Sequence, residues 1–231
     1  MKRMLIIEAC GIQGEKNECQ NIKSQAELYR IEVTSITPND NGELITILNQ
    51  GVKYDFIYLS SHGSDECFGN ETGTIFFSWF DFGVELCSSD CMNEDCLVML
   101  SCCRGGLNQV AYDLFYCCNK ISYVIGPRQS LTPQDMLISF NILLYNVEIR
   151  KIDPILSCEK IKLGSDIRFV CFDRLEIETD VAYIIKCQSH SEQDVEELNE
   201  AKEKVNDPKV DFIPPEVLNL NNAVNQELPL T

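Results

Sequence analysis

Histidine, tryptophan and basic side chains are all scarce in this sequence. Its 231 residues include two His, one Trp, and 19 Lys and Arg set against 36 Asp and Glu, for a formal charge of −17. Such a balance excludes the basic surface that grips a nucleic-acid backbone, so no nucleic-acid partner is expected. No apolar run reaches the roughly 18 residues of a membrane span, and no membrane partner is expected either. Near the N-terminus, Glu8 interrupts the apolar stretch Met4-Leu5-Ile6-Ile7, which leaves too short a core for a signal peptide. A cytoplasmic location is the expectation. There is no internal repeat.

Cysteine, by contrast, is abundant. The thirteen are an odd number and scattered, with Cys117, Cys118, Cys171 and Cys187 inside apolar runs. Without secretory context they read as reduced, buried thiols. The tightest set, Cys87, Cys91 and Cys96, has no C-x-x-C pair and no accompanying histidine, so no metal site is assigned and no cofactor is expected. An apolar fraction of 45% suits a globular chain, and the length suits one sizeable α/β domain with an appendage. From Gln188 onward ten acidic residues face three lysines, which places −7 of the −17 in the last 44 positions. The chain therefore divides into a domain over 1–187 and an acidic C-terminal tail over 188–231. That tail is either an exposed extension or a regulatory segment lying over the active site or a partner.

Strand-like and helix-like segments alternate along the first part. Residues 3–9, 31–36 and 54–61 read as strands, Cys10 to Gly14 as a flexible loop, and 21–29 as a helix. Asp40 with Glu43, and Ser78 with Asp81, fit capping boxes that open further helices. The polar loop Ser64 to Gly73 is expected to border the site, with a small hairpin arm after it. Residues 121–125 read as a strand, 136–145 as an amphipathic helix, and Asp153-Pro154 as the start of another. Residues 168–172 and 181–185 suit late strands, and 192–205 a solvated helix. Alternation of this kind predicts an α/β fold, a mostly parallel sheet flanked by helices on both faces.

One stretch organises the rest. Leu97-Val98-Met99-Leu100-Ser101-Cys102-Cys103-Arg104-Gly105-Gly106 reads as a buried strand ending in an abrupt turn, with a helix following over 107–118. The turn is expected at the carboxyl edge of the sheet, where open α/β sheets react with ligands. The helix start beside it would favour a thiolate. His62 and Gly63 follow another strand, and two adjacent parallel strands would bring imidazole and thiol to the same edge. Gly63 leaves its own N–H open to an incoming carbonyl. Cys102 competes with Cys103 for the nucleophile's place. Adjacent strand residues face opposite sides, so only one of the two can meet His62.

Ser61-His62-Gly63 and, 41 positions after the histidine, Ser101-Cys102-Cys103-Arg104-Gly105 resemble the His-Gly and Q-A-C-R-G signatures of caspases. Leu100-Ser101-Cys102-Cys103 is also similar to the L-S-A-C segment of the CHAT branch of that clan. Both registers put the nucleophile at Cys103, with Cys102 in the small-residue slot. Ser101 stands where caspases carry glutamine, and no long cleavable linker follows. The similarity, over residues 1–150, is therefore nearer to single-chain CHAT proteins, metacaspases and bacterial caspase-like peptidases.

The resemblance implies a caspase-like fold and a thiol endopeptidase acting on a protein or peptide substrate. His62 is then the base, Cys103 the nucleophile, and the backbone N–H groups of Gly63 and Cys103 the oxyanion donors. In the loop after the fifth strand, Arg128 suits an acidic side chain before the scissile bond, whereas Asp135 suits Arg or Lys. Thr132-Pro133-Gln134-Asp135 also reads as a helix start. Arg104 is expected to anchor neighbouring carbonyls or carboxylates, and His190 to be a bystander. The resemblance further implies a regulated effector in stress or antiviral defence, switched on by an activating protein or a small nucleotide signal. It leaves a homo-oligomer open. The alternative is a catalytically silent caspase-like domain that binds a peptide or nucleotide and acts by assembly.

Overall fold

Apolar side chains alternate along the strands, and that alternation builds two cores on one sheet. The structure is a computed structural model that describes residues 1–178. In chain order it runs β1 (Arg3–Glu8), α1 (Gln13–Leu28), β2 (Glu32–Ile36), α2 (Asn41–Leu48) and β3 (Tyr54–Ser60). Three short strands follow, β4 (His62–Gly63), β5 (Cys67–Gly69) and β6 (Phe76–Ser78), then α3 (Trp79–Ser88). Next come β7 (Met92–Ser101), α4 (Asn108–Cys117), β8 (Ile121–Pro127) and α5 (Pro133–Leu144), which runs on into a π-helical turn over Tyr145–Ile149. Helix α6 (Pro154–Ser165) and β9 (Phe169–Asp173) follow, and residues 174–178 are helical.

Six strands form the main sheet in the order β2-β1-β3-β7-β8-β9. Every neighbouring pair is parallel except β8 and β9. Leu5, Ile7, Ile57, Leu59, Val98 and Leu100 point to one face and pack with α2, α3 and α4. Met4, Ile6, Phe56, Tyr58, Leu97 and Met99 point to the other and pack with α1, α5 and α6. This is the period of two that a sheet covered on both faces requires. Tyr58 and Phe140 are fully buried and meet edge to face, with centroids 5.1 Å apart. Burying an aromatic of this kind contributes on the order of 2–3 kcal/mol.

Local chemistry sets the helix starts. Asp40 accepts from the Glu43 N–H at 2.8 Å, and Ser78 accepts from the Asp81 N–H at 3.0 Å. Thr132 and Asp135 form a reciprocal capping box with Pro133 at the first helical position, and Asp153 caps α6. Strand β7 starts at Met92 and α5 at Pro133, ahead of the expected 97 and 136, and the widest difference from the sequence reading is at α1. Helix α1 begins at Gln13, so Cys10–Gly14 is not all loop: the turn is made at Gly11, with φ +87°, and Gly14 is already helical. Gln13 to Asn17 carry no apolar side chain, so the first turn left no helical periodicity to read. The expected hairpin arm is a separate antiparallel sheet, β4-β5-β6. Its Phe68 packs against Trp79 and Phe82 of α3, with centroids 5.1 and 4.9 Å away. The expected strand over 181–185, the helix over 192–205, His190 and the tail over 188–231 lie outside the described residues. No helix among the described residues is long and apolar enough to cross a membrane.

Candidate active site

Strand register gives three residues equivalent places past one row of paired strand ends. Ser60 at the end of β3 pairs with Glu8 of β1 on one side and Ser101 of β7 on the other. The pairing continues one step further, since Ala9 N–H donates to the Ser60 carbonyl at 2.8 Å and Ser61 N–H donates to the Ser101 carbonyl at 3.2 Å. Cys10, His62 and Cys103 each lie two residues past that row. The sheet order also reverses here: from β1 the chain goes out to β2 and returns to β3 on β1's other side. Open α/β sheets hold ligands at such a switch point, beyond the carboxyl ends of the strands.

His62 is exposed, and its Nε2 lies 3.3 Å from the Cys10 sulfur and 3.9 Å from Oε1 of Glu71. Gly63 lies directly on the nucleophile turn. A Cβ at that glycine would stand 2.7 Å from the Cys103 carbonyl oxygen and 2.9 Å from the Cys102 Cβ, so only a residue with no side chain allows this approach. Behind the turn, Gly106 and Gly126 meet backbone to backbone, and Gly106 N–H donates to the Pro127 carbonyl at 2.8 Å.

The two adjacent thiols have different surroundings. Cys102 is 1% exposed and belongs to the core on the α3–α4 side, where burial pushes its pKa well up. Cys103 is half-buried, and its backbone N–H makes no hydrogen bond among the described residues. The thiol does not sit on the first turn of a helix, as the sequence suggested. The turn occupies 102–107 and α4 begins only at Asn108, five residues on, so its amides are not the source of activation. Arg104 has a left-handed φ of +63°, strained for a residue with a side chain. Its guanidinium is exposed and makes no hydrogen bond or ion pair among the described residues, so its role there is in the backbone of the turn.

Arg128 at the end of β8 donates to Oδ1 of Asn108 at 3.0 Å. The Asp135 carboxylate accepts from the Thr132 hydroxyl at 2.7 Å, inside the α5 cap. Both carry these contacts in the structure as it stands.

Two residues escaped the sequence reading. Cys10 is buried, and burial first, then the charge and hydrogen bonding of Glu15, push its thiol up to about 12. Glu18 of α1 is 2% exposed, and its Oε1 accepts from the Tyr58 and Ser101 hydroxyls. Burial pushes its carboxyl up to about 7, against the opposing pull of those two donors. Only the register reveals Cys10, and Glu18 looks like any acidic helix residue in sequence. None of the twelve cysteines among the described residues is in a disulfide. No group of three or more His, Cys, Asp or Glu that could hold a metal occurs among them.

No protein-family model and no curated protein matches this chain. Among solved structures it is similar to the Arg-specific cysteine proteinase gingipain R, with a TM-score of 0.48 and 12% identity over 74% of this chain. The match spans 46% of that protein's chain.

Proposed function

We propose that this chain is a caspase-like cysteine peptidase acting through a dyad of Cys103 and His62. The observation that carries the reading is the shared register: His62 and Cys103 each follow by two residues the paired ends, Ser60 and Ser101, of adjacent parallel strands, with Gly63 against the Cys103 carbonyl. Both side chains reach the surface, and the competing thiol, Cys102, does not.

The steps balance as acyl transfer. His62 takes the Cys103 thiol proton, and the sulfur adds to the peptide carbonyl carbon. The Cys103 N–H, uncommitted among the described residues, and the Gly63 N–H receive the oxyanion. Each such donor can lower the barrier by ~3 kcal/mol. The tetrahedral species collapses, the C–N bond breaks, and the amine leaves with the proton held by His62. Water then adds to the thioester, releasing the acid and restoring the thiol.

Labelling by a library of peptidyl chloromethyl ketones tests this. Covalent labelling is expected at Cys103, absent from Cys103→Ala and slowed about 100-fold or more in His62→Ala. Libraries with Asp, Arg or Lys at the position before the electrophile read out whether Arg128 or Asp135 contributes to selection. Tight binding of peptides or nucleotides with no such labelling would refute the peptidase and favour a silent, assembly-driven domain.

A further inference from the structure

We propose that Cys10 is a positioning residue for His62: its sulfur accepts the imidazole Nε2–H and leaves Nδ1 as the nitrogen that exchanges a proton with Cys103. The inference deepens the peptidase reading and rests on it.

The Cys10 sulfur is 3.3 Å from Nε2, within reach for a hydrogen bond to sulfur. Cys10 is only 3% exposed and sits where β1 leaves the sheet, so its place is set by packing. Glu71 approaches the same nitrogen, but at 3.9 Å and from a side chain 66% exposed. It is the weaker candidate to hold the ring.

A neutral imidazole carries one N–H and one lone pair, and the partner of one nitrogen decides what the other can do. If Cys10 donated its S–H to Nε2, the ring proton would sit on Nδ1 and His62 would have no base to offer Cys103. With Nε2–H on the sulfur, Nδ1 keeps its lone pair. After proton transfer both nitrogens carry hydrogen, and the Nε2–H contact persists unchanged. The arrangement requires Cys10 to stay a neutral thiol, since an anionic sulfur there would hold the ring protonated and act as a second nucleophile. Burial and the neighbouring Glu15 keep it neutral through the physiological range. The ionisable groups shown around the ring and this thiol are Glu15 and Glu71.

The test needs no substrate. The rate of Cys103 alkylation by iodoacetamide is followed from pH 5 to 9 by mass spectrometry, with fragment ions separating Cys103 from Cys102. In the wild type, reactivity below pH 7 is expected to depend on His62, disappearing in His62→Ala. Cys10→Ala should lower the rate at pH 6 about 10-fold and shift the low-pH limb upward. Cys10→Ser should stay within about 2-fold of wild type, because a hydroxyl accepts the same N–H. Glu71→Gln should leave the profile in place. Should Cys10→Ala fail to fold, Cys10→Val serves as the variant without an acceptor. A His62-dependent profile that Cys10→Ala or Cys10→Val leaves untouched overturns the role of Cys10 alone. So does a loss reproduced by Glu71→Gln. A wild-type profile indifferent to His62→Ala overturns the peptidase reading itself, and this inference with it.

Discussion

Glu18 makes the fold sensitive to pH across the neutral range, and Glu18→Gln should remove that sensitivity. Its carboxyl is buried under the end of the nucleophile strand and is held at about 7, against an ordinary value of 4.5. The folded state therefore keeps this proton over a range where the unfolded chain has released it. Its stabilising contribution is complete below pH 4.5, declines as pH rises and is gone above pH 7. Multiplying that gap by the cost of one pKa unit gives ~3 kcal/mol lost between pH 4.5 and 8. For a domain of this size such a loss is a fall of roughly 6–12 °C in melting temperature. The thiols raised by burial, such as Cys10 at about 12, lose their contribution only at alkaline pH, and Asp90, lowered to about 2 by Lys120 and Lys53, titrates in acid. The window from 5 to 8 thus isolates Glu18 among the perturbed groups. Gln keeps Oε1 as acceptor for Tyr58 and Ser101 and carries no charge at any pH. Urea denaturation of wild type and Glu18→Gln at pH 5, 6, 7 and 8 should give curves that diverge by that amount at the alkaline end, with the variant the more stable. Parallel pH dependences in the two proteins would refute the reasoning.

Three further outcomes follow from packing and register. Gly63→Ala must displace the Cys103 carbonyl, 2.7 Å from the new Cβ. It should cost about 1–3 kcal/mol by denaturation and abolish labelling of Cys103. Cys102→Ala should keep peptide-electrophile labelling, whereas Cys103→Ala removes it, because only the half-buried thiol of the pair is accessible. The readout is the labelled mass of the intact protein. Phe140→Ala opens a cavity beneath Tyr58 and Phe169, whose rings lie 5.1 and 4.9 Å away. It should cost about 3–5 kcal/mol in urea denaturation.

The order of the main-sheet strands and their helices through residue 173 was readable because its signals are local, whereas β5, inside the stretch 64–73 that reads as a polar loop, was not. The apolar runs in 56–59 and 97–100, the Thr132–Asp135 box and Asp153-Pro154 each act within a few residues. Where those signals are weak, as in the polar first turn of α1, the boundary was lost. The π-helical turn after α5 had no sequence mark at all.

At the site the division has the same physical origin. The His-Gly and Cys-Cys-Arg-Gly segments announced themselves in sequence, since a strand that ends in glycine and a reactive side chain is a local pattern. Which thiol stands buried and which half-open, and that Cys10 reaches His62, depends on how β1, β3 and β7 align. So does the placing of Glu18 under Ser101. Register and burial are set by packing between segments far apart in the chain, so single residues acquired those roles only when the sheet was assembled.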